Sequence, residues 1–139
     1  MGKYIRLFIV GILLVGCSID ELEELPPMLP SITLDGRLPM DGNGYYHLQL
    51  NSNTNQTTHR ITGSVLNTIE PTKVTWESNL TWESNGEAVP TINSTSYVTD
   101  IGEINTMIAP IYGMISDTLR VKATVNEWNI IQTLNIVLE

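Results

Sequence analysis

Beyond residue 30 apolar and polar positions alternate with a period of two, the pattern of strands whose side chains point to opposite faces. Ile32, Leu34 and Leu38 alternate with Thr33, Asp35 and Arg37, and Tyr46, Leu48 and Leu50 alternate with His47 and Gln49. Between them Met40-Asp41-Gly42-Asn43-Gly44 is rich in residues that accept positive φ, which predicts a hairpin turn joining the two strands. Ile61 and Val65 alternate with Arg60, Thr62 and Ser64. Leu119, Val121, Ala123 and Val125 alternate with Thr118, Arg120, Lys122 and Thr124, and Ile130, Leu134, Ile136 and Leu138 share one face. Weaker strands are expected over residues 73–78, running on toward 83, over 89–98 and over 103–112. Asn85-Gly86 is a strong hairpin dipeptide, and Pro90 and Pro110 belong at edges or bulges because proline cannot donate to a ladder. No segment sustains a 3.6-residue period. Residues 51–60 are long and polar for a hairpin and leave the order of the early strands open.

The first residues follow a different pattern. Lys3 and Arg6 precede a nine-residue apolar run, 7–15, that ends in Leu14-Val15-Gly16-Cys17. The run is too short to cross a bilayer, which takes roughly 20 residues, and suits a signal-peptide core. Leu14-Val15-Gly16-Cys17 resembles the lipobox of bacterial lipoproteins, and Cys17 is the chain's only cysteine. The resemblance implies cleavage before Cys17 by signal peptidase II, removal of 1–16 and acyl chains such as palmitate on Cys17. The folded part then holds no thiol. Loss of Lys3 and Arg6 leaves five basic against 15 acidic groups.

Residues 17–30 read as a tether. Asp20, Glu21, Glu23 and Glu24 are followed by Pro26, Pro27 and Pro30, which favour extended chain. Acids soon after a lipidated cysteine resemble the export signal of some surface-displayed Gram-negative lipoproteins, although Ser18 and Ile19 intervene here. An aspartate directly after the cysteine, the inner-membrane retention signal, is absent, since Ser18 stands there. The implied location is the bacterial envelope, at the outer membrane, with the membrane itself as a partner through the lipid.

Seven or eight short strands over residues 31–139 fit an antiparallel two-sheet sandwich. Val74-Thr75-Trp76 and residues 117–125, from Asp117-Thr118-Leu119 to Val125, resemble the central and closing strands of bacterial immunoglobulin-like domains. That resemblance implies an all-β immunoglobulin-like sandwich, held by packing without an inter-sheet disulfide. It follows the signal helix and the extended tether.

Composition narrows the chemistry. The chain has 139 residues and a net charge of −8, which excludes a phosphate-backbone binder that needs a basic stripe. One cysteine and two histidines, His47 and His59, supply no metal site at recognisable spacing. Asp41-Gly42-Asn43-Gly44 departs from a calcium loop, because Tyr45 and Ser52 occupy ligand positions. No phosphate-binding loop, dinucleotide fingerprint or nucleophile elbow is present, so neither a cofactor nor an enzymatic activity is expected. Trp76-Glu77-Ser78-Asn79 recurs as Trp82-Glu83-Ser84-Asn85. On one unbroken strand both tryptophans would share a face. Trp76 is expected in the core. Trp82, close to the Asn85-Gly86 turn, and Trp128, near a loop, are the candidate aromatic platform for a glycan, with Glu83 binding hydroxyls. Glu77 and Glu83 lie too far apart on one strand to serve as a glycosidase pair. The expectation is a non-catalytic envelope lipoprotein whose domain is a structural or protein-interaction module. The alternative is a carbohydrate-binding accessory using Trp82 and Trp128.

Overall fold

The computed structural model describes residues 29–67 and 72–139. The expected signal segment 1–16, Cys17 and the expected tether as far as residue 28 lie outside the described residues. Among the described residues the chain is all-β, as the alternation predicts, with ten strands and one 3₁₀ turn. The strands are β1 (Ser31–Asp35), β2 (Tyr46–Leu48), β3 (His59–Leu66), β4 (Lys73–Ser78), β5 (Thr81–Ser84), β6 (Glu87–Pro90), β7 (Thr95–Tyr97), β8 (Glu103–Ile108), β9 (Thr118–Val125) and β10 (Ile130–Leu138). The 3₁₀ turn, Tyr112–Met114, lies between β8 and β9.

Two sheets share one core. The first has the order β1-β3-β8 and the second β2-β10-β9-β4-β7; β5 and β6 form a separate hairpin. Ile32, Ile61, Val65, Ile104 and Ile108 come from the first sheet and join Val74, Trp76, Leu119, Val121 and Ile136 from the second in one buried cluster. The best alternation gives the best strand: Leu119, Val121, Ala123 and Val125 of β9 are wholly buried. A fully buried aliphatic side chain contributes about 1.5–3 kcal/mol, so this face of β9 is a large part of the stability. Ala123 sits directly opposite Trp76, a small residue beside the largest one in the core.

Three expectations are corrected. The Asp41-Gly44 turn forms, with the Asn43 and Tyr45 N–H groups donating to the Asp41 carboxylate, but it does not pair β1 with β2. It closes a local loop in which Met40 bridges Tyr46, and β2 runs parallel to β10 in the other sheet, so the sheets are not purely antiparallel. Gly36 and the left-handed Arg37 (φ 53°) redirect the chain after β1. Gly36 lies against the Tyr46 ring, where a Cβ would come within 2.8 Å of Cγ.

Second, β4 stops at Ser78. The Asn79 side chain donates to the Thr118 carbonyl and accepts from the Arg120 N–H, so the next residues leave the sheet. Third, the stretch expected as one strand over 89–98 divides into β6 and β7, and the one over 103–112 ends at Ile108 before the 3₁₀ turn. These interruptions raise the strand number from seven or eight to ten.

The strands place two ends. The ends of β3 and β9 and the starts of β1, β4, β8 and β10 gather at one end: Ser31 pairs with Leu66, Val74 with Val125 and Ile130 with Val125, and the Val65 N–H donates to the Gly102 carbonyl. The loop at 51–55, the 3₁₀ turn and the β10 terminus gather at the other, tied by the Tyr112 N–H to the Asn55 carbonyl and the Ser116 N–H to the Leu138 carbonyl.

Candidate functional site

The two Trp-Glu-Ser-Asn repeats fall in different surroundings. Trp76 lies in β4 between β7 and β9, is 1% exposed, and donates from Nε1 to the Ser96 hydroxyl at 2.7 Å. The Glu77 carboxylate meets the Lys122 ammonium directly opposite on β9 at 2.5 Å. Trp82 lies on β5 opposite Val89 of β6, after the break in the chain, so the two rings do not share the face of one strand. Its ring is half-buried against the core, and its Nε1 is buried without a hydrogen-bond partner among the described residues. Glu83 is exposed and pairs in register with Ala88. Asn85 (φ 53°) and Gly86 (φ 82°) turn the hairpin as the dipeptide predicts. Thr81, Trp82, Glu83, Gly86 and Ala88 line a shallow hollow of about 430 Å³.

Trp128 is 51% exposed, in the turn between β9 and β10. That turn is fixed to the start of β4, since the Asn126 N–H donates to the Lys73 carbonyl and the Thr72 hydroxyl to the Glu127 carboxylate. Trp82 follows the other end of β4. Six residues of strand, roughly 17 Å, separate those ends, so the fold does not bring Trp82, Glu83 and Trp128 into one platform.

The histidines have separate tasks. His59 on β3 donates from Nε2 to the Gly36 carbonyl at 2.6 Å. His47 on β2 is clamped by two carboxylates, Nδ1 to Glu139 at 2.5 Å and Nε2 to Asp41 at 3.1 Å, while Gln49 holds the second Glu139 oxygen. Both ring nitrogens must donate, so the arrangement favours imidazolium. The bond to Glu139, then that to Asp41, raise the His47 pKa above its ordinary value, against some desolvation. The Asp41 carboxyl is held below its ordinary value, first by the Tyr45 N–H and then by His47. A ring held this way is a poor base, and the cluster pins β2 to the end of β10. Sequence reading missed it because its members come together only through the parallel pairing, 92 residues apart.

The outer face of β1, β3 and β8 carries a further concavity of about 590 Å³, lined by Thr33, Asp35, Arg37, Arg60, Thr62 and Asn105 among others. Thr33 and Ser64 hydroxyls bond across it at 2.7 Å. Among the described residues no group of three or more His, Cys, Asp or Glu is placed to hold a metal ion, and no helix is long and apolar enough to cross a membrane. Comparisons with protein-family models, with curated proteins and with solved structures each return no match.

Proposed function

We propose that the chain is an envelope lipoprotein, anchored at the outer membrane through Cys17, whose domain is an immunoglobulin-like sandwich serving as a non-catalytic structural or protein-interaction module. The observation that carries the reading is the coincidence of Lys3 and Arg6, a nine-residue apolar run and Leu14-Val15-Gly16 before the only cysteine. The immunoglobulin-like assignment is supported by a strand order in which β2 lies parallel beside the final strand and β10, β9 and β4 follow in turn around one core. The far end offers Tyr112 and Ile115, both exposed, beside the polar 51–55 loop as a surface for a protein partner. Cys17→Ser should abolish fatty-acid labelling and release the protein from membranes; persistent labelling would refute the anchor.

The second reading, a carbohydrate-binding accessory, is favoured by the half-exposed ring of Trp128. A flat apolar ring open to solvent can stack on a sugar, and Trp82 with Glu83 would then act as a separate subsite. Retention of the protein on immobilised glycans, lost in Trp128→Ala, tests it.

A further inference from the structure

The structure assigns a lipid-contacting surface to the end of the fold where the chain enters β1: we propose that Leu29, Leu66, Ile101 and Trp128 rest on the bilayer that holds the anchor. The inference rests on the reading of Cys17 as lipidated.

Ten large apolar side chains are exposed among the described residues, and five of them, Leu29, Leu66, Tyr97, Ile101 and Trp128, lie at this one end. Leu29 and Ile101 are the most exposed of the ten, at 80% and 74%. They come from separate loops, and each loop is held by its backbone. The Asn67 side-chain amide donates to the Leu29 carbonyl at 2.9 Å. The 99–102 turn is closed by the Gly102 N–H to the Thr99 carbonyl and tied to β3 by the Val65 N–H to the Gly102 carbonyl. Gly102 (φ 80°) allows that contact, since a Cβ there would come within 2.7 Å of the Val65 carbonyl oxygen. Ile101 therefore stands at the tip of a fixed turn. Trp128 is presented in the same way by a turn bound to Lys73 and Thr72.

The chain outside the described residues selects the occupant. Twelve residue steps separate Cys17 from Leu29, a reach on the order of 40 Å at most. A tether that short keeps this end close to the surface at high effective concentration, so weak apolar contacts suffice to orient the domain. Tryptophan and tyrosine suit the headgroup region, where an apolar ring and a polar edge are both satisfied. Among the described residues the charged groups at this end are Lys73, Asp100, Glu103 and Glu127, an acidic balance that fits zwitterionic rather than anionic headgroups.

The test uses the lipidated full chain in phosphatidylcholine vesicles containing a doxyl-labelled phosphatidylcholine. Lipid on Cys17 blocks its thiol, so Ile101→Cys and, at the far end, Asn53→Cys each take one thiol-reactive fluorophore. The Ile101→Cys probe should lose about half its emission or more, because interfacial apolar groups sit roughly 5–10 Å deep. The Asn53→Cys probe should be unaffected. Adding Leu66→Ser and Trp128→Ser to the Ile101→Cys chain should restore most of the emission. With lipid on Cys17 verified by mass spectrometry, an unquenched Ile101→Cys probe, or equal quenching at both ends, overturns the proposal. Shielding of the Ile101→Cys probe from aqueous iodide only on addition of an envelope protein, and not by lipid, overturns it in favour of protein docking. A free Cys17 thiol on a chain that does not partition to vesicles refutes the lipoprotein reading itself, a result distinct from the other two.

Discussion

Trp76-Glu77-Ser78-Asn79 and Trp82-Glu83-Ser84-Asn85 are the same four residues in the same order, yet their tryptophans, glutamates and asparagines meet different surroundings. In the first, each polar group has a partner on another segment: Trp76 bonds Ser96, Glu77 meets Lys122, Ser78 bonds Thr91 and Asn79 bonds both Thr118 and Arg120. In the second, the Trp82 N–H is buried with no partner among the described residues, Glu83 is exposed, and Asn85 serves the turn through its left-handed backbone. The difference comes from neighbours. The first repeat begins on β4, where Trp76, Glu77 and Ser78 pair with β9 and the Trp76 N–H donates to the Ser94 carbonyl just before β7; the second is paired with β6 alone among the described strands. Local sequence sets the tendency to extend, and the neighbouring strands decide which side chains become structure.

The comparison breaks most severely if the neighbour is destroyed. Val121 is fully buried on β9 opposite Ser78, so Val121→Asp buries an unpaired carboxylate at a cost of several kcal/mol. Chemical denaturation should show little or no folded state. Lys122→Asp, on the opposite face, should cost about 1 kcal/mol or less, since it replaces an exposed ion pair by two like charges across a strand pair. Comparable losses from both would contradict the facing assigned to β9.

The tryptophans themselves come next. Trp76→Ala should cost about 3–5 kcal/mol, the range for a large aromatic removed from a packed core. Trp82→Ala should cost about 1–2 kcal/mol, because a half-covered ring recovers less on burial. Equal losses in thermal denaturation would mean that the β5–β6 hairpin belongs to the core as fully as β4 does.

Much of this architecture was legible because alternation is a local signal. The all-β class, the buried face of β9, the core place of Trp76 and the Asn85-Gly86 turn follow from spacing and turn chemistry alone. The sheet membership of β1 and β2 does not. Asp41-Gly44 is a good turn, and nothing in its residues says which strands it serves; Gly36 and Arg37, which redirect the chain, carry no distinctive signal. The break after Ser78 was hidden as well, because Asn79 ends β4 through bonds to residues 39 and 41 positions away. The His47 clamp was illegible for the same reason.

A smaller change separates ring volume from hydrogen bonding. Replacing each tryptophan by phenylalanine keeps an aromatic ring and removes the N–H. Trp76→Phe gives up the bond to Ser96 and some volume, so it should destabilise by about 1–2 kcal/mol. Trp82→Phe removes a buried donor that bonds nothing among the described residues, and a group of that kind costs about 1–3 kcal/mol when left unsatisfied. Loss of ring area offsets part of this gain, so stability should hold or rise by up to about 1 kcal/mol. Opposite signs in paired urea titrations support the contrast, and a loss in both would show that the Trp82 N–H has a partner in solution.

The weakest contrast lies between the two glutamates. Glu77 faces Lys122 with both side chains well exposed, and exposed pairs of this kind are worth about 0.2–1 kcal/mol. Glu77→Gln should lower stability within that range at low salt. The effect should vanish near 1 M salt, where the screening length falls to about 3 Å. Glu83, exposed and opposite Ala88, forms no ion pair among the described residues, so Glu83→Gln should change nothing at either salt concentration. A salt-dependent loss at Glu77 alone means that β9 contributes through charge as well as packing to the first repeat. If both substitutions are silent at every salt concentration, the glutamates are equivalent, and the difference between the repeats narrows to Trp76 in its packed slot and Trp82 at the edge of it.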